Sequence, residues 1–500
     1  MTASNKVVDC LPLLANKVAP NIFDISSGQF HVSLRDQIVR ARLLVRDLAV
    51  LNPEMKSLMV VGAGAAGIAA AVAAADRGIK VFLLEGGAAP MSLQSGAKKR
   101  FVGPFMYEWP WDFSCSQDYP PADPELWTIP MSCPEIVSQE PMAAIEFAKQ
   151  MCSWLDEQLL IYSAHLHFAV NVVPPSLPSY VEYFIALYAF ETSQALMGKA
   201  TIGSLPKFSL FDGEWYGNAP ASPSMQPDFI VLAAGMGEEQ VSLPKHDGLN
   251  PHPSELYIGT PFWKDDNLQE RVANDLSVAV VGGGDGALQD SLRALTTFDH
   301  PIQMLQSLRG CKHVAALIDG FQQRLQTMEA QGRLLASWTL DPLVWTSLDE
   351  KCRIAAKTLA TDELIRNRVV QCLRPSKKGA KVFHFVRGSN FDKAYLLNRF
   401  LIYLVWEVLA YPGHPTGGAR IGFELHFGVE VKGVETLAND LYRVHLNRLV
   451  SGATFVTVAE VAIRFGIERG SIPGLKMIQL SENDRGQRSS LSHVPLPFVV

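Results

Sequence analysis

The chain has 500 residues, of which 48% are hydrophobic and 19% are charged, and its formal net charge is −6. This length predicts two or three domains with sizeable hydrophobic cores. The net charge is small, and no basic run is longer than Lys98-Lys99-Arg100. The composition therefore argues against a nucleic-acid-binding protein and against a protein held on an anionic membrane surface.

The cysteines and the amino-terminal residues indicate the cellular compartment of the protein. Its seven cysteines are an odd number and include no C-x-x-C pair, which fits a reducing compartment better than a disulfide framework. Residues 1–20 contain an acidic residue and no small-residue cleavage pattern, so they make a poor signal peptide. We expect a cytoplasmic protein, and the spacing of the His, Cys, Asp and Glu residues predicts no metal site.

The first predicted element is an amphipathic helix at residues 32–50. Apolar residues at Leu34, Ile38, Leu44 and Val45 share one helical stripe, with arginines elsewhere. We expect this helix to pack on the domain that follows it.

A complete strand–glycine turn–helix–strand pattern occupies residues 58–85. A short apolar strand ends at Gly62, where a tight turn needs a residue without a Cβ, and an alanine-rich helix follows. Gly64 would let the backbone approach a pyrophosphate, and Gly67 would let the helix pack close to the strand. The helix start at Ala65 and Ala66 would offer its free N–H groups and positive dipole end to the phosphates.

The same pattern ends in an acid. A second strand delivers Glu85, whose carboxylate would accept hydrogen bonds from an adenosine ribose and repel the 2′-phosphate of NADP. This site therefore suits FAD or NAD. Residues 58–75 also form an uncharged stretch of threshold length for a membrane span, but the nucleotide-binding pattern explains more of these residues.

The residues after this unit offer weaker candidates. Arg100 could contact the pyrophosphate, and the next strand with a glycine exit runs from Asp228 to Gly235. Aromatic side chains could stack on a ring system or line a cleft, although core packing is their commoner role; they are Tyr107, Trp109, Trp111 and, beside Asp265, Trp263.

A second glycine unit begins near residue 277. Its turn contains Gly282 and Gly284, its helix starts at Asp285, and Ala287 replaces the third glycine, as the pattern allows. We expect the next strand at Ile302–Leu305. The polar and basic residues after that strand, Ser307 and Arg309, would tolerate a 2′-phosphate, so NADPH is expected here rather than NADH.

The three glycine-containing elements, in this order, resemble the two-dinucleotide-binding-domain flavoproteins, which include thioredoxin-reductase-like enzymes and flavin-dependent monooxygenases. VVGAGAAGIAAA with Glu85 is similar to their FAD-binding start, DFIVLAAG to the strand that leaves the FAD domain, and VAVVGGGDGAL to their NAD(P)H motif. The resemblance implies an α/β fold with two Rossmann-type, doubly wound dinucleotide-binding domains. It implies FAD and NAD(P)H as cofactors and hydride transfer from the nicotinamide to the flavin.

The sequence also departs from that family. The dithiol C-x-x-C and a closing Gly-Asp element are missing, and Arg464 stands where a small residue is expected in AEVAIRFG. The expected organisation is a helical extension (1–56), an FAD domain (57–240), an NAD(P) domain (270–310 plus 412–470), a helical insertion (311–411) and a return to the FAD domain (471–500).

These observations lead to an FAD oxidoreductase that uses NAD(P)H and acts on an unidentified small molecule, as a monooxygenase or a reductase. One alternative is an FAD-dependent amine or amino-acid oxidase with a degenerate second site. Another is a nucleotide-sensing protein without turnover, because no acid, base or nucleophile stands out in the sequence.

Overall fold

The computed structural model describes most of the chain. Described are residues 13, 16–19, 21–25, 34–102, 141–172, 205, 207–210, 213–235, 237–338, 343–391, 394–412, 420–447, 449, 452–468 and 471.

The first half of the chain builds one large sheet with helices beside it. Its elements are β1 (Lys17–Ala19), β2 (Ile22–Asp24), α1 (Leu34–Leu51), β3 (Ser57–Val61), α2 (Ala65–Ala75), β4 (Lys80–Leu84), β5 (Phe101–Val102), β6 (Met142–Ala143), α3 (Ala144–Ile161), β7 (Leu166–Val170), β8 (Phe208–Ser209), β9 (Glu214–Tyr216), β10 (Ser224–Met225) and β11 (Phe229–Leu232).

This sheet has the strand order β1-β2-β11-β3-β4-β7-β9. The five inner strands, from β2 to β7, run parallel, and the edge strands β1 and β9 are antiparallel to their neighbours. One face is covered by α1, α2 and α3, which bury apolar side chains such as Leu44, Ile68 and Phe147 in one core. The predicted amphipathic helix is thus confirmed as α1, and it packs on α2.

The second half contains another parallel sheet and most of the helices. Its elements are β12 (Glu238–Glu239), β13 (Ser242–His246), β14 (Pro251–Ile258), α4 (Leu268–Ala273), β15 (Val278–Val281), α5 (Asp285–Leu295), α6 (Pro301–Arg309), α7 (Lys312–Trp338), α8 (Leu343–Leu359), α9 (Glu363–Cys372), β16 (Lys381–Val386), α10 (Leu396–Leu409), β17 (Gly422–Phe427), β18 (Val431–Thr436), β19 (Tyr442–Leu446), β20 (Phe455–Val458), β21 (Val461–Ile463) and β22 (Ile467–Glu468).

The second parallel sheet has the order β17-β16-β15-β21. A five-stranded sheet has the order β14-β13-β18-β19-β20, and its strands come from the segments before β15 and after β17. The short strands β12 and β22 pair with each other. The two parallel sheets therefore have corresponding strand orders, β11-β3-β4-β7 and β21-β15-β16-β17. In each, the strand before the glycine turn (β3 or β15) lies between the second strand of its βαβ unit (β4 or β16) and a parallel strand from later in the chain (β11 or β21). This order confirms the predicted class of two Rossmann-type units.

The strand expected at Ile302–Leu305 is wrong, because these residues belong to helix α6. Pro301 occupies the first helical position, and the His300 side chain accepts a hydrogen bond from the backbone N–H of Ile302 in a capping box with Gln303. The buried residues of α6 follow helical and not strand spacing; they are Pro301, Met304, Leu305 and Leu308.

The expected helical insertion also needs correction. Within residues 311–411, β16 pairs with both β15 and β17, and α10 packs against α5, so both are integral parts of the second unit. The inserted helices are α6 to α9, and they enter between α5 and β16. They share one hydrophobic core with α10.

Among the helices of the described ranges, none is long and apolar enough to cross a membrane. The uncharged stretch 58–75 is divided between strand β3 and helix α2.

Candidate functional site

The first glycine turn lies at the carboxyl end of β3. Gly62 has φ +101°, and an ideal Cβ on it would lie 2.3 Å from the carbonyl oxygen of Ala233, which follows β11. A Cβ on Gly67 would lie 1.8 Å from the carbonyl oxygen of Gly62, so the start of α2 lies directly on the turn. A Cβ on Gly64 would meet nothing within 4 Å, which leaves space beside the backbone at the helix amino terminus.

Helix α2 begins without a capping side chain. Gly64 is its N-cap residue and no side chain accepts a hydrogen bond there, while Ala65 and Ala66 form the first turn. The first N–H groups of a helix have no partner within it and carry the positive end of its dipole. The turn therefore presents backbone donors at an open position, which is the arrangement that binds a phosphate.

Glu85 lies beside this turn. Its carboxylate accepts a hydrogen bond from the backbone N–H of Ala63 (2.7 Å) and another from Gly87 (2.8 Å). Each carboxylate oxygen keeps a further lone pair that can accept a ribose hydroxyl. Gly235, with φ +85° and open space at its Cβ position, follows β11 at the same edge of the sheet.

The second glycine turn has a similar backbone. Gly282 has φ +142°, and a Cβ on it would lie 2.2 Å from the carbonyl oxygen of Arg464, which follows β21. Gly284 is the N-cap residue of α5 and has open space at its Cβ position, and Ala287 is fully buried.

Two ionisable side chains support this second turn. His384 on β16 is buried; its Nε2 lies 2.7 Å from the carbonyl oxygen of Gly282, and its Nδ1 lies 3.0 Å from Ser291 Oγ. Because a carbonyl only accepts, Nε2 carries the proton and Nδ1 accepts from the serine. Burial lowers the pKa of His384 to about 4, so the ring is neutral at pH 7.

Asp285, the first residue of α5, accepts hydrogen bonds from the backbone N–H of Tyr395 (2.7 Å) and from Asn398 Nδ2 (3.2 Å). Burial raises its pKa to about 7 against these hydrogen bonds, which favour the ionised form. The carboxylate therefore ties α10 to the start of α5.

Ser307 and Arg309 lie on α6 and do not follow the second strand of the unit. Ser307 receives a hydrogen bond from the thiol of Cys372, and Arg309 is paired with Asp319. Four helices are inserted between α5 and β16, so the residues that follow α5 in the sequence are not the second strand of the unit. The actual second strand, β16, leads into Arg387, which is exposed.

Strand pairing shows which residue replaces Glu85 in the second unit. Val61 pairs with Leu84 and Val281 pairs with Phe385, so Val386 occupies the position of Glu85, and Arg387 comes one residue later. An apolar residue followed by a cation therefore stands where the first unit has its acid.

Arg100 lies in a buried ionic cluster. Its guanidinium pairs with Asp290 on α5 and with Asp266 (2.6 Å), and it lies 4.3 Å from the ring centroid of Phe262. The expected pyrophosphate contact is thus replaced by a link between the two units. A fully buried guanidinium is costly unless it is paired, and this pairing satisfies that requirement.

Two more arginines complete the cluster. Arg293 pairs with Asp290 at 2.8 Å and with Asp266 at 3.2 Å, and Arg464 pairs with Asp290 at 2.8 Å. Burial alone would raise the pKa of Asp290, but the three arginines hold it below its usual range. Arg464 Nη1 also donates to the carbonyl oxygen of Thr260 (2.7 Å). Its unexpected position after β21 is explained by this cluster.

The remaining candidate site residues are the aromatic side chains and Asp265. Trp263 is half-buried and packs against the core of the first unit, and Asp265 accepts a hydrogen bond from the backbone N–H of Lys99. Tyr107, Trp109 and Trp111 lie outside the described residues, as do residues 472–500 of the expected carboxyl-terminal return. Across the residues that the structure describes, no group of three His, Cys, Asp or Glu side chains could hold a metal ion.

Comparison with known proteins finds distant structural similarity. No protein-family model and no curated protein matches the chain. Among solved structures, a bacillithiol disulfide reductase from Staphylococcus aureus is similar at 11% identity and a TM-score of 0.33, over 83% of this chain and 77% of that one. A thioredoxin reductase from T. acidophilum is similar at 13% identity and a TM-score of 0.32, over 88% and 98%. Likeness at this level transfers no activity, and the fold assignment rests on the strand order given above.

Proposed function

We propose that the chain is an FAD-dependent oxidoreductase whose flavin is reduced by NADPH and whose substrate is a small molecule. The observation that carries this proposal is the Glu85 carboxylate, held by the Ala63 N–H at the first glycine turn. The same edge thus offers an acceptor for a ribose and backbone donors for a pyrophosphate. FAD supplies the electron chemistry when it is bound, and the protein binds it, orients it and excludes water.

The assignment of FAD to the first unit follows from charge. A carboxylate at Glu85 accepts from the two hydroxyls of an adenosine ribose, whereas a 2′-phosphate there would be repelled. NADPH is therefore disfavoured in the first unit, and its proposed place is the second.

The assignment of NADPH to the second unit rests on Val386 and Arg387. Val386 removes the acid that would repel a 2′-phosphate, and the exposed Arg387 offers a charge-assisted hydrogen bond to it. This replaces the expected role of Ser307 and Arg309 with a residue that directly follows the second strand.

The cysteines argue against dithiol–disulfide exchange as the reaction. Of the described cysteines, Cys152, Cys311, Cys352 and Cys372 are all free thiols, and none is part of a disulfide. Burial raises the pKa of the Cys152, Cys352 and Cys372 thiols, which makes them poor nucleophiles. Backbone hydrogen bonds lower the pKa of the Cys311 thiol, but dithiol exchange needs two reactive thiols, and Cys311 is the one described cysteine with a lowered pKa. The proposed acceptor of the flavin electrons is therefore a small organic molecule or oxygen.

The visible spectrum of the purified protein tests the proposal. We expect flavin absorption that is bleached anaerobically by NADPH and more slowly by NADH. Flavin that ignores both nicotinamides but is reduced by amino acids would favour an oxidase. Colourless protein that cannot be reconstituted with FAD would exclude both enzymes and favour a nucleotide sensor.

A pair of variants tests the placement of the ribose. Glu85→Arg should abolish flavin retention, because it replaces the acceptor with a cation beside the turn. Glu54→Arg is the matched control, since Glu54 is exposed and precedes β3 at the opposite edge of the sheet. Equal flavin content in the two variants would show that the ribose does not bind at Glu85.

A further inference from the structure

We infer that the amino-terminal strand–helix pair, β2 with α1, is part of the flavin-binding unit, and that Asp24 lies at the flavin end of the bound FAD. This inference rests on the proposed function and assigns a segment that precedes the whole glycine pattern in the chain.

Strand β2 extends the parallel sheet beyond β11. Ile22 and Asp24 pair with Ile230 and Leu232, and the backbone N–H of Ile25 donates to the Leu232 carbonyl at 2.9 Å. Because all these strands are parallel, the carboxyl end of β2 lies at the same edge as the glycine turn.

Helix α1 is the crossover between β2 and β3. A connection between two parallel strands of one sheet must return from the carboxyl edge to the amino edge, so α1 begins at the nucleotide edge. Its residues Ile38, Leu44 and Leu48 are buried in the same core as Ile68 of α2. The pair therefore forms a βαβ unit next to the one that holds the glycine turn, and is integral to this half of the protein.

The order of groups in FAD would place the flavin toward β2. If the adenosine ribose is held at Glu85 after β4 and the pyrophosphate at Gly62 after β3, the ribityl chain and ring system would be held farther along the same edge. The residues in that direction are Gly235 after β11 and Asp24 at the end of β2. Three strand spacings separate β4 from β2, which is about 14 Å, a distance that an extended dinucleotide can span.

Asp24 has a suitable side chain for this position. It is 2% exposed and shares a face of β2 with Ile22, which belongs to an apolar cluster with Val61, Leu84 and Leu232. A carboxylate has about four lone-pair positions, and the hydroxyls of a ribityl chain are donors. A buried carboxylate at the end of an apolar face thus offers the acceptor that this part of FAD requires.

The second unit provides the internal contrast. Among its described strands, none pairs with the outer side of β21, so its parallel sheet ends where β2 extends the first one. The additional strand and crossover helix are therefore specific to the unit that is proposed to hold the flavin.

An Asp24→Asn variant of the full chain tests the inference. We expect its dissociation constant for FAD to rise about tenfold or more, the loss expected for a hydrogen bond to a charged group. The matched control is Asp228→Asn on the neighbouring strand. The Asp228 carboxylate accepts from the backbone N–H groups of Lys56 (2.8 Å) and Ser57 (2.9 Å) at the opposite edge. The control should lower the melting temperature and leave FAD affinity unchanged.

Hydrogen exchange of the unaltered full chain, with and without FAD, supplies a second measurement if Asp24→Asn does not fold. Peptides covering residues 22–38 should exchange more slowly with FAD, as should those covering 62–67 and 85–87. Slowing at 62–67 and 85–87 alone, or unchanged FAD affinity in folded Asp24→Asn, would overturn the inference and leave the proposed FAD site standing. If the unaltered protein binds no FAD, both the inference and the proposed function are wrong.

Discussion

The third position of the glycine pattern is Gly67 in the first unit and Ala287 in the second. A Cβ at Gly67 would lie 1.8 Å from the Gly62 carbonyl oxygen, so the backbone of α2 lies against the turn. Ala287 carries a Cβ, so α5 must stand farther from its turn. There, His384 donates to the Gly282 carbonyl at 2.7 Å. Both turns pack closely on the strand beside them, but the first is also held by the helix backbone at Gly67, and the second by a hydrogen bond from His384.

The two units also differ where their second strands end. The first ends in Glu85, which is bonded to its glycine turn, and the second ends in Val386 followed by the exposed Arg387. A shared backbone frame can thus favour a ribose hydroxyl in one unit and a ribose phosphate in the other. In the proposed function, the fold sets where each dinucleotide would lie, and these few side chains would set which one binds.

The largest effect is expected from exchanging the third residues. Helix propensity alone would favour Gly67→Ala by about 1 kcal/mol, but the added methyl group clashes with backbone that cannot move aside. We expect a net loss of about 3 kcal/mol or more in unfolding free energy, together with loss of flavin. Chemical denaturation and flavin absorbance measure the two effects.

The reciprocal change, Ala287→Gly, should cost only about 1–2 kcal/mol from helix propensity and one buried methyl group. Flavin content should stay normal, because the change lies in the other unit. If both variants lost the same stability, the two turns would be packed alike and the contrast between them would be wrong.

A smaller effect is expected at the strand end of the second unit. Arg387→Ala should raise KM for NADPH by about 10- to 100-fold, the value of a hydrogen bond between charged groups, and change KM for NADH little. Arg309→Ala is the matched control: Arg309 is also exposed, is paired with Asp319 on the inserted helices, and should leave both values unchanged. If Arg387→Ala changed KM for NADPH and KM for NADH equally, Arg387 would not bind the 2′-phosphate.

The elements that the sequence predicts correctly are those with a local signal. The first glycine turn, its helix and Glu85 are contiguous, so the strand–turn–helix–strand order can be predicted from residues 58–85 alone. In the second unit an insertion separates α5 from β16, so the next apolar run, Ile302–Leu305, resembles the second strand although it is part of a helix. Pro301 at the first helical position and the i, i+3, i+4 spacing of the apolar residues are the sequence signals for that helix.

Contacts between residues far apart in the chain cannot be predicted from the local sequence. Arg100, Asp290 and Arg464 are separated by more than 150 positions in the chain, and each looks like an ordinary charged residue until the sheets bring them together. The place of β2 beside β11 is equally hidden, because a three-residue strand before a helix does not specify its partner. Strand pairing, and not residue type, assigns both features.

The smallest expected effect concerns the titrating groups of the second turn. Burial raises the pKa of Asp285 to about 7 in the folded protein, from about 4 in the unfolded chain. The protonated side chain therefore contributes to folding stability below pH 4, and this contribution is lost as the pH rises toward 7. Lowering the pKa of His384 to about 4 has the opposite sign, because its contribution is present above pH 6.5 and is lost as pH falls toward 4. Between pH 4 and 6.5 the two contributions change in opposite directions and oppose each other in the unaltered protein.

Single variants should separate these contributions. Relative to the unaltered protein, Asp285→Asn should gain stability as pH rises from 4 to 7, and His384→Gln should gain it as pH falls from 6.5 to 4. Each slope is at most about 1.4 kcal/mol per pH unit, less where solvent screens the charge. The corresponding positions of the first unit, Ala65 and Leu83, do not titrate. Urea denaturation across this range measures the slopes, and two flat difference curves would show that neither group shifts its pKa on folding.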